Sequence, residues 1–188
     1  MDRLPTEILR LILDYGVSYS WPDVPSSRKD RANWLLVSTE KGSEATVTKE
    51  ARKLMDFPDD VQSAHLWLEW TMAAAARRGF DDALRFLQKE AVSRTKIGHT
   101  KSLHYARKPS TMRMLVLELG YDVNNTASFS NLQTPLHMAA TNGSLEAAET
   151  LLELGADPSL NDVKGYNALY YALERRNTAV ANLLFEVM

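Results

Sequence analysis

The second half of this chain repeats itself at an interval of 33 residues. Thr134-Pro135-Leu136-His137-Met138-Ala139-Ala140 runs into a Thr141-Asn142-Gly143 turn, then Leu145-Glu146-Ala147-Ala148, Leu151-Leu152 and Gly155-Ala156-Asp157. A shift of 33 forward puts Leu136 on Leu169, His137 on Tyr170, Ala139 on Ala172 and Leu151 on Leu184. The same shift backward puts Leu136 on Leu103, His137 on His104 and Ala139 on Ala106. Beyond Ala106 the register slips, since Ala106 to Gly120 is 14 residues where Ala139 to Gly155 is 16. The first helix of that copy is therefore expected to be short. A weaker copy begins at Ala75-Ala76-Arg77-Arg78-Gly79 and continues through Ala83-Leu84 and Leu87. Each unit is one small supersecondary element that cannot bury its own apolar face, so stacked neighbours have to complete the core.

Each unit reads as two antiparallel helices. Pro135 suits a first helical turn, where its missing N–H has no intrahelical partner to lose, and Thr134 suits the cap before it. Ala139 and Ala140 let the short first helix approach its partner, and Leu151 and Leu152 supply the buried face of the second. Gly143 and Gly155 fit chain reversals at positive φ. His104 and His137 occupy equivalent positions and are expected to bond neighbouring backbone groups. A metal site would not tolerate the tyrosine at position 170 in the last copy.

With these residues in place, the chain resembles the ankyrin repeat. The resemblance rests on the T-P-L-H-x-A-A run, the x-x-G turn, the leucines of the second helix and the closing G-A-D. It implies an all-α fold apart from short finger hairpins, a solenoid of three to four repeats at about residues 66–97, 98–130, 131–163 and 164–188. It also implies protein–protein interaction through the fingers and the concave face of the first helices. The target-binding candidates it indicates are Ser130, Asn131, Gln133, Thr141 and Asn142. In the following repeat they are Asn161, Val163, Lys164, Tyr166, Glu174 and Arg175.

The N-terminal residues 1–58 form a separate expectation. Apolar side chains at Leu4, Ile8, Leu9, Ile12 and Leu13 follow helical spacing, with Pro5 and Thr6 at the start and Gly16 at the end. A loop with Trp21-Pro22 and Pro25 precedes a second apolar run, Trp34-Leu35-Leu36-Val37-Ser38. The order L-P-x-E-I-L-x-x-I-L followed by L-x-x-V-S resembles the F-box, a helical motif that docks on a Skp-type adaptor of a cullin ubiquitin ligase. Carried over position by position, the adaptor-binding residues are Leu4, Pro5, Glu7, Ile8, Leu9 and Ile12. The connection between the two runs is longer than in the family pattern, and Trp34 precedes Ser38 where the pattern has a tryptophan after it. The same residues also fit an N-terminal cap on the repeat stack, because an amphipathic helix needs cover in either case. A short helix is expected from Thr46 to Leu54, a break at Phe57-Pro58, and a long helix from Val61 to Arg78 with Trp67 and Trp70 at the junction with the first repeat.

Composition narrows the chemistry. The chain has no cysteine, so thiol nucleophiles, disulfides and cysteine-based metal sites are excluded. No phosphate-binding glycine loop, dinucleotide fingerprint, H-E-x-x-H or G-x-S-x-G pattern occurs, so no catalytic residue, cofactor or metal is expected. The formal net charge of −2 hides an uneven distribution. Residues 71–115 carry 10 basic against 3 acidic side chains, and residues 116–188 carry 3 against 9. With no nucleic-acid-reading motif beside it, the basic stretch reads as a solvated surface or a patch for an acidic protein. Met1-Asp2-Arg3-Leu4-Pro5, with an early acid and no long apolar run behind it, is not expected to act as a secretory leader, and no run of 18 apolar residues occurs in the sequence. A reducing compartment, cytoplasmic or nuclear, without membrane association is therefore expected. The combined expectation is a substrate receptor that joins a target protein to a Skp/cullin-type ligase, the alternative being a ligase-independent ankyrin scaffold or inhibitor.

Overall fold

The computed structural model describes residues 43–45, 47–49, 61–95, 101–126 and 131–188. The adaptor-binding candidates Leu4, Pro5, Glu7, Ile8, Leu9 and Ile12, the finger residue Ser130 and the side chains of Trp67 and Trp70 lie outside them.

The described chain is a row of helix pairs. Helix α1 (Val61–Arg78) pairs with α2 (Asp81–Thr95). Helix α3 (Ser102–Tyr105) is followed by α4 (Pro109–Arg113), which runs on as a widened π-type turn over Met114–Glu118. Helix α5 (Pro135–Asn142) pairs with α6 (Leu145–Glu153), and α7 (Ala168–Glu174) with α8 (Thr178–Val187). First helices lie against first helices along the row, α1 on α3, α3 on α5 and α5 on α7. The short first helix expected from the register slip is the four-residue α3. The expected finger hairpins are turns without a strand ladder among the described residues, Gln133 alone having bridge geometry.

One continuous core runs through the row. Leu84 and Leu87, Leu103 and Leu115, Leu136 and Leu151, and Leu184 are buried, with Ala140, Ala148 and Ala172 between them. The alanines bring the backbones of paired helices close, and the leucines fill the seam between one pair and the next. No pair could bury these side chains alone.

Helices α1, α5 and α7 end in the same reversal, whereas α3 ends in extended backbone at Ala106. The amide of Ser144 donates to Ala139 O at 3.1 Å and that of Gly143 to Ala140 O at 3.3 Å, with Gly143 at φ +70°. This is the paired bonding that satisfies the last carbonyls of a helix. A Cβ at Gly143 would sit 2.6 Å from Asn177 Oδ1, so glycine is required for space as well as for φ. The last repeat makes the same turn with Arg176 at φ +59°, a conformation that costs an L-residue about 1–2 kcal/mol.

Hydrogen bonds tie successive pairs together. The Asn177 amide donates to the carbonyls of Ala140 (2.7 Å) and Thr141 (3.1 Å), closing the end of α5 from the next repeat. Tyr121 donates its buried hydroxyl to Gln88 Oε1 at 2.8 Å, and Thr111 donates to Asp81 Oδ1 at 2.6 Å. On the outer face Arg85 reaches Glu118 at 2.9 Å and Arg113 reaches Glu153 at 2.6 Å. These cations of the basic stretch are thus already paired with carboxylates of the next repeat. At the opposite end, Val47 is buried and the Glu44 carboxylate accepts from the Ala83 amide at 2.9 Å, so the 43–49 segment lies against the start of α2.

Candidate protein-binding surface

The surface in question is the line of finger turns and the first helices beneath them, best formed in the last two repeats. Its foundation is a pair of histidines. The Thr134 amide donates to His137 Nδ1 at 3.1 Å, which leaves the proton on Nε2, 3.0 Å from Tyr166 O in the next repeat. His104 shares the second of these bonds, its Nε2 lying 3.1 Å from Gln133 O. Both rings are buried, and both bond a finger carbonyl 29 residues on, as the shared register implied. Burial favours the uncharged ring, pushing His104 down to about 4 and His137 below the usual value.

The finger itself is organised by Asp162. This buried carboxylate accepts the Tyr171 hydroxyl on Oδ2 at 2.6 Å, and the amides of Lys164 and Tyr166 on Oδ1 at 2.8 and 3.1 Å. The Gln133 side chain favours the ionised form of both groups. Burial opposes ionisation of Asp162, but these donors outweigh it and hold the carboxyl below its usual range. Tyr171 is pushed up to about 12 by burial and by its bond to the carboxylate. The backbone closes through Gly165 N to Asp162 O and Asp162 N to Tyr166 O, both 3.0 Å. Val163 N donates to Asn131 O at 3.0 Å, joining this finger to the preceding one. Asn131 and Leu132 hold that position with φ of +56° and +61°.

What remains exposed follows from this scaffold. Val163 and Lys164 stand at the tip of the turn, and Tyr166 at its base stacks on Tyr170 of α7, with centroids 3.8 Å apart and planes 7° from parallel. Tyr171 meets both rings edge-on from below. Asn131, Asn142, Asn161, Glu174 and Arg175 are exposed as well. Gln133 and Thr141 are half-buried and already bonded within the array, Gln133 through its carbonyl oxygen to His104 Nε2 and Thr141 through its hydroxyl to His137 O at 2.8 Å. The structure adds Leu132, Tyr170 and Leu173 to the exposed set. The repeat register did not signal this exposure, since it places Tyr170 on the covered position of His137 and Leu173 on that of Ala140.

The arrangement offers aromatic and aliphatic contact area on a rigid base, with both charge signs beside it. Among the described residues there is no cluster of three His, Asp or Glu side chains suited to a metal, and no helix long and apolar enough to cross a membrane.

Comparison with known proteins agrees with this geometry. A 77-residue stretch covering 38% of the chain is 36% identical to NF-kappa-B inhibitor alpha of Sus scrofa, covering 24% of that protein. A stretch of 84 residues, 43% of the chain, is 36% identical to palmitoyltransferase AKR1 of Lachancea kluyveri, covering 11% of it. A stretch of 70 residues, 37% of the chain, is 34% identical to "Probable E3 ubiquitin-protein ligase XBOS33" of Oryza sativa, covering 14% of it. The matched segments span about a quarter or less of these curated relatives. Residues 103–187 match the family described as ankyrin repeats (3 copies), and this part of the chain is an ankyrin-repeat array.

Proposed function

We propose that the chain is a non-catalytic substrate receptor that holds a target protein on its ankyrin fingers and delivers it to a Skp/cullin-type ubiquitin ligase. Ankyrin repeats make it a protein–protein interaction module. The observation that carries the target-binding half is the exposed finger of the last repeat. There Val163, Lys164, Tyr166 and Tyr170 are presented on a base fixed by Asp162 and Tyr171. Rigid aromatic groups on such a base supply contact area at little entropic cost. The ligase half rests on the Leu4-Pro5 to Leu13 run and its likeness to the F-box, with Leu4, Pro5, Ile8 and Leu9 as anchors, Glu7 as a polar contact and Ile12 on the same face. One relative, XBOS33, carries ubiquitin-ligase activity in its name.

The second reading, a scaffold or inhibitor acting without a ligase, is favoured by the relative named as an inhibitor of NF-kappa-B. Two variants separate these readings. Val163→Ala/Tyr166→Ala is expected to lose the target and keep the adaptor. Leu4→Ala/Pro5→Ala is expected to lose the adaptor and keep the target. An N-terminal variant that instead lowers the melting temperature of the repeats would identify residues 1–58 as a cap.

A further inference from the structure

An arginine, a second basic residue, any residue and then a hydroxyl side chain occur in that order at two places, Arg107-Lys108-Pro109-Ser110 and Arg175-Arg176-Asn177-Thr178. Both runs lie in the link from a first helix to its second helix, at the opposite end of the first helices from the fingers. Ser110 and Thr178 are exposed, as are the two basic residues ahead of each. The backbone around them differs. Lys108 precedes a proline, which holds it in extended geometry, at φ −90° and ψ 132°. Ala106 is extended as well, at φ −60° and ψ 136°. This link is therefore open where its neighbours make compact reversals. Beyond it, the bond from Met112 N to Lys108 O at 3.1 Å closes the first turn of α4, and a helix of five residues holds little stability of its own. The second run is locked. Arg176 is left-handed at φ +59°, and the Asn177 amide donates to Ala140 O at 2.7 Å and Thr141 O at 3.1 Å. Straightening that turn would break both bonds and strip the end of α5.

We propose that Ser110 is a phosphorylation site for an arginine-directed serine/threonine kinase, and that Thr178 is closed to the same enzyme while the array is folded. Kinases of this class select by charge pattern, pairing acidic side chains of their cleft with basic residues ahead of the acceptor in an extended segment. Arg107 is exposed for that pairing, whereas Arg85 and Arg113 of the same basic stretch are engaged by Glu118 and Glu153. In the transfer, Ser110 Oγ bonds the γ-phosphorus of ATP as the bond from that phosphorus to the β,γ-bridging oxygen breaks. ADP leaves, and the hydroxyl proton passes to the kinase's catalytic carboxylate. The product carries about −1.5 to −2 charges at pH 7. That nearly offsets Arg107 and Lys108 and changes the charge of this edge without touching the fingers.

The test incubates the whole chain with magnesium ATP and the catalytic subunit of cyclic-AMP-dependent protein kinase, an arginine-directed enzyme, and locates phosphate by peptide mass mapping. Within residues 101–188 the expected result is a single phosphate, on Ser110. Ser110→Ala should lose it and Ser110→Thr should keep it, both with far-UV signal and melting temperature unchanged, as befits an exposed position. Arg107→Ala should lower kcat/KM for Ser110 at least about tenfold, because it removes the charge that the kinase reads. A folded wild-type chain that takes up no phosphate at Ser110, one modified at Thr178 as fast as at Ser110, or a rate indifferent to Arg107 overturns the proposal.

Discussion

Acidification should weaken the array through His104. The folded state holds this ring neutral, with Nε2–H donated to Gln133 O at 3.1 Å and the ionised form disfavoured down to about pH 4. The unfolded chain takes up the proton near the ordinary value of about 6.5. The folded pKa is the lower one, so the stability is full above about pH 6.5 and is lost as the pH falls towards 4. Linkage between those two values gives a loss of about 2 kcal/mol at pH 5 and about 3 kcal/mol below pH 4. His137 acts in the same direction, since burial lowers it too. Asp162 contributes in a separate window: its carboxyl is held below the usual 3.8, so its stabilisation persists until the pH falls below that. Urea unfolding followed by far-UV circular dichroism at pH 8 and pH 5 reads the effect. With an m-value of about 2 kcal/mol/M, the midpoint should drop by about 1 M from His104 alone. His104→Gln keeps an N–H donor without a titrating group, so its midpoint should move about 1 M less than that of wild type. Equal shifts in the two proteins would refute the assignment of the buried neutral ring.

Other outcomes follow from the same contacts. Leu136→Ala and Leu151→Ala, both buried between pairs, should each cost about 2–5 kcal/mol in chemical denaturation; a loss below about 0.5 kcal/mol at both would refute the register. Tyr171→Phe removes the hydroxyl donated to Asp162 and should cost about 1.5–3 kcal/mol, the range for a bond to a charged group, while weakening target binding through the loosened finger. Gly143→Ala puts a Cβ against Asn177 at a positive φ and should destabilise by about 1–3 kcal/mol, whereas Arg176→Gly relieves a left-handed residue and should stabilise by about 0.5 kcal/mol.

The repeat architecture was legible because its signals are local and periodic. Thr134-Pro135 marks a helix start, Gly143 a reversal, and Leu136 and Leu151 a buried seam, and the 33-residue interval places all of them again around Leu169 and Leu184. Even the short α3 could be read, from the two residues missing after Ala106. The finger chemistry was less legible because it depends on partners far apart in sequence. Nothing in Gln133 alone reveals that its carbonyl oxygen accepts from His104 or that it is half-buried. Asp162 reads as an ordinary turn acid until the Tyr171 hydroxyl is seen on it. Exposure at Tyr170 and Leu173 was hidden for the opposite reason. The repeat register assigns them to the covered positions of His137 and Ala140, and only the absence of a further pair among the described residues leaves them bare.

The measurement that bears most directly on the functional account is isothermal titration of the whole chain with a purified Skp-type adaptor, in parallel with the Leu4→Ala/Pro5→Ala and Lys164→Ala/Tyr166→Ala variants. The account predicts a one-to-one complex with wild type, its loss in the N-terminal variant and its full retention in the finger variant, with the helical signal of the repeats the same in all three. Wild-type protein that gives no heat and stays free in the presence of excess adaptor would contradict the receptor reading and leave an ankyrin scaffold.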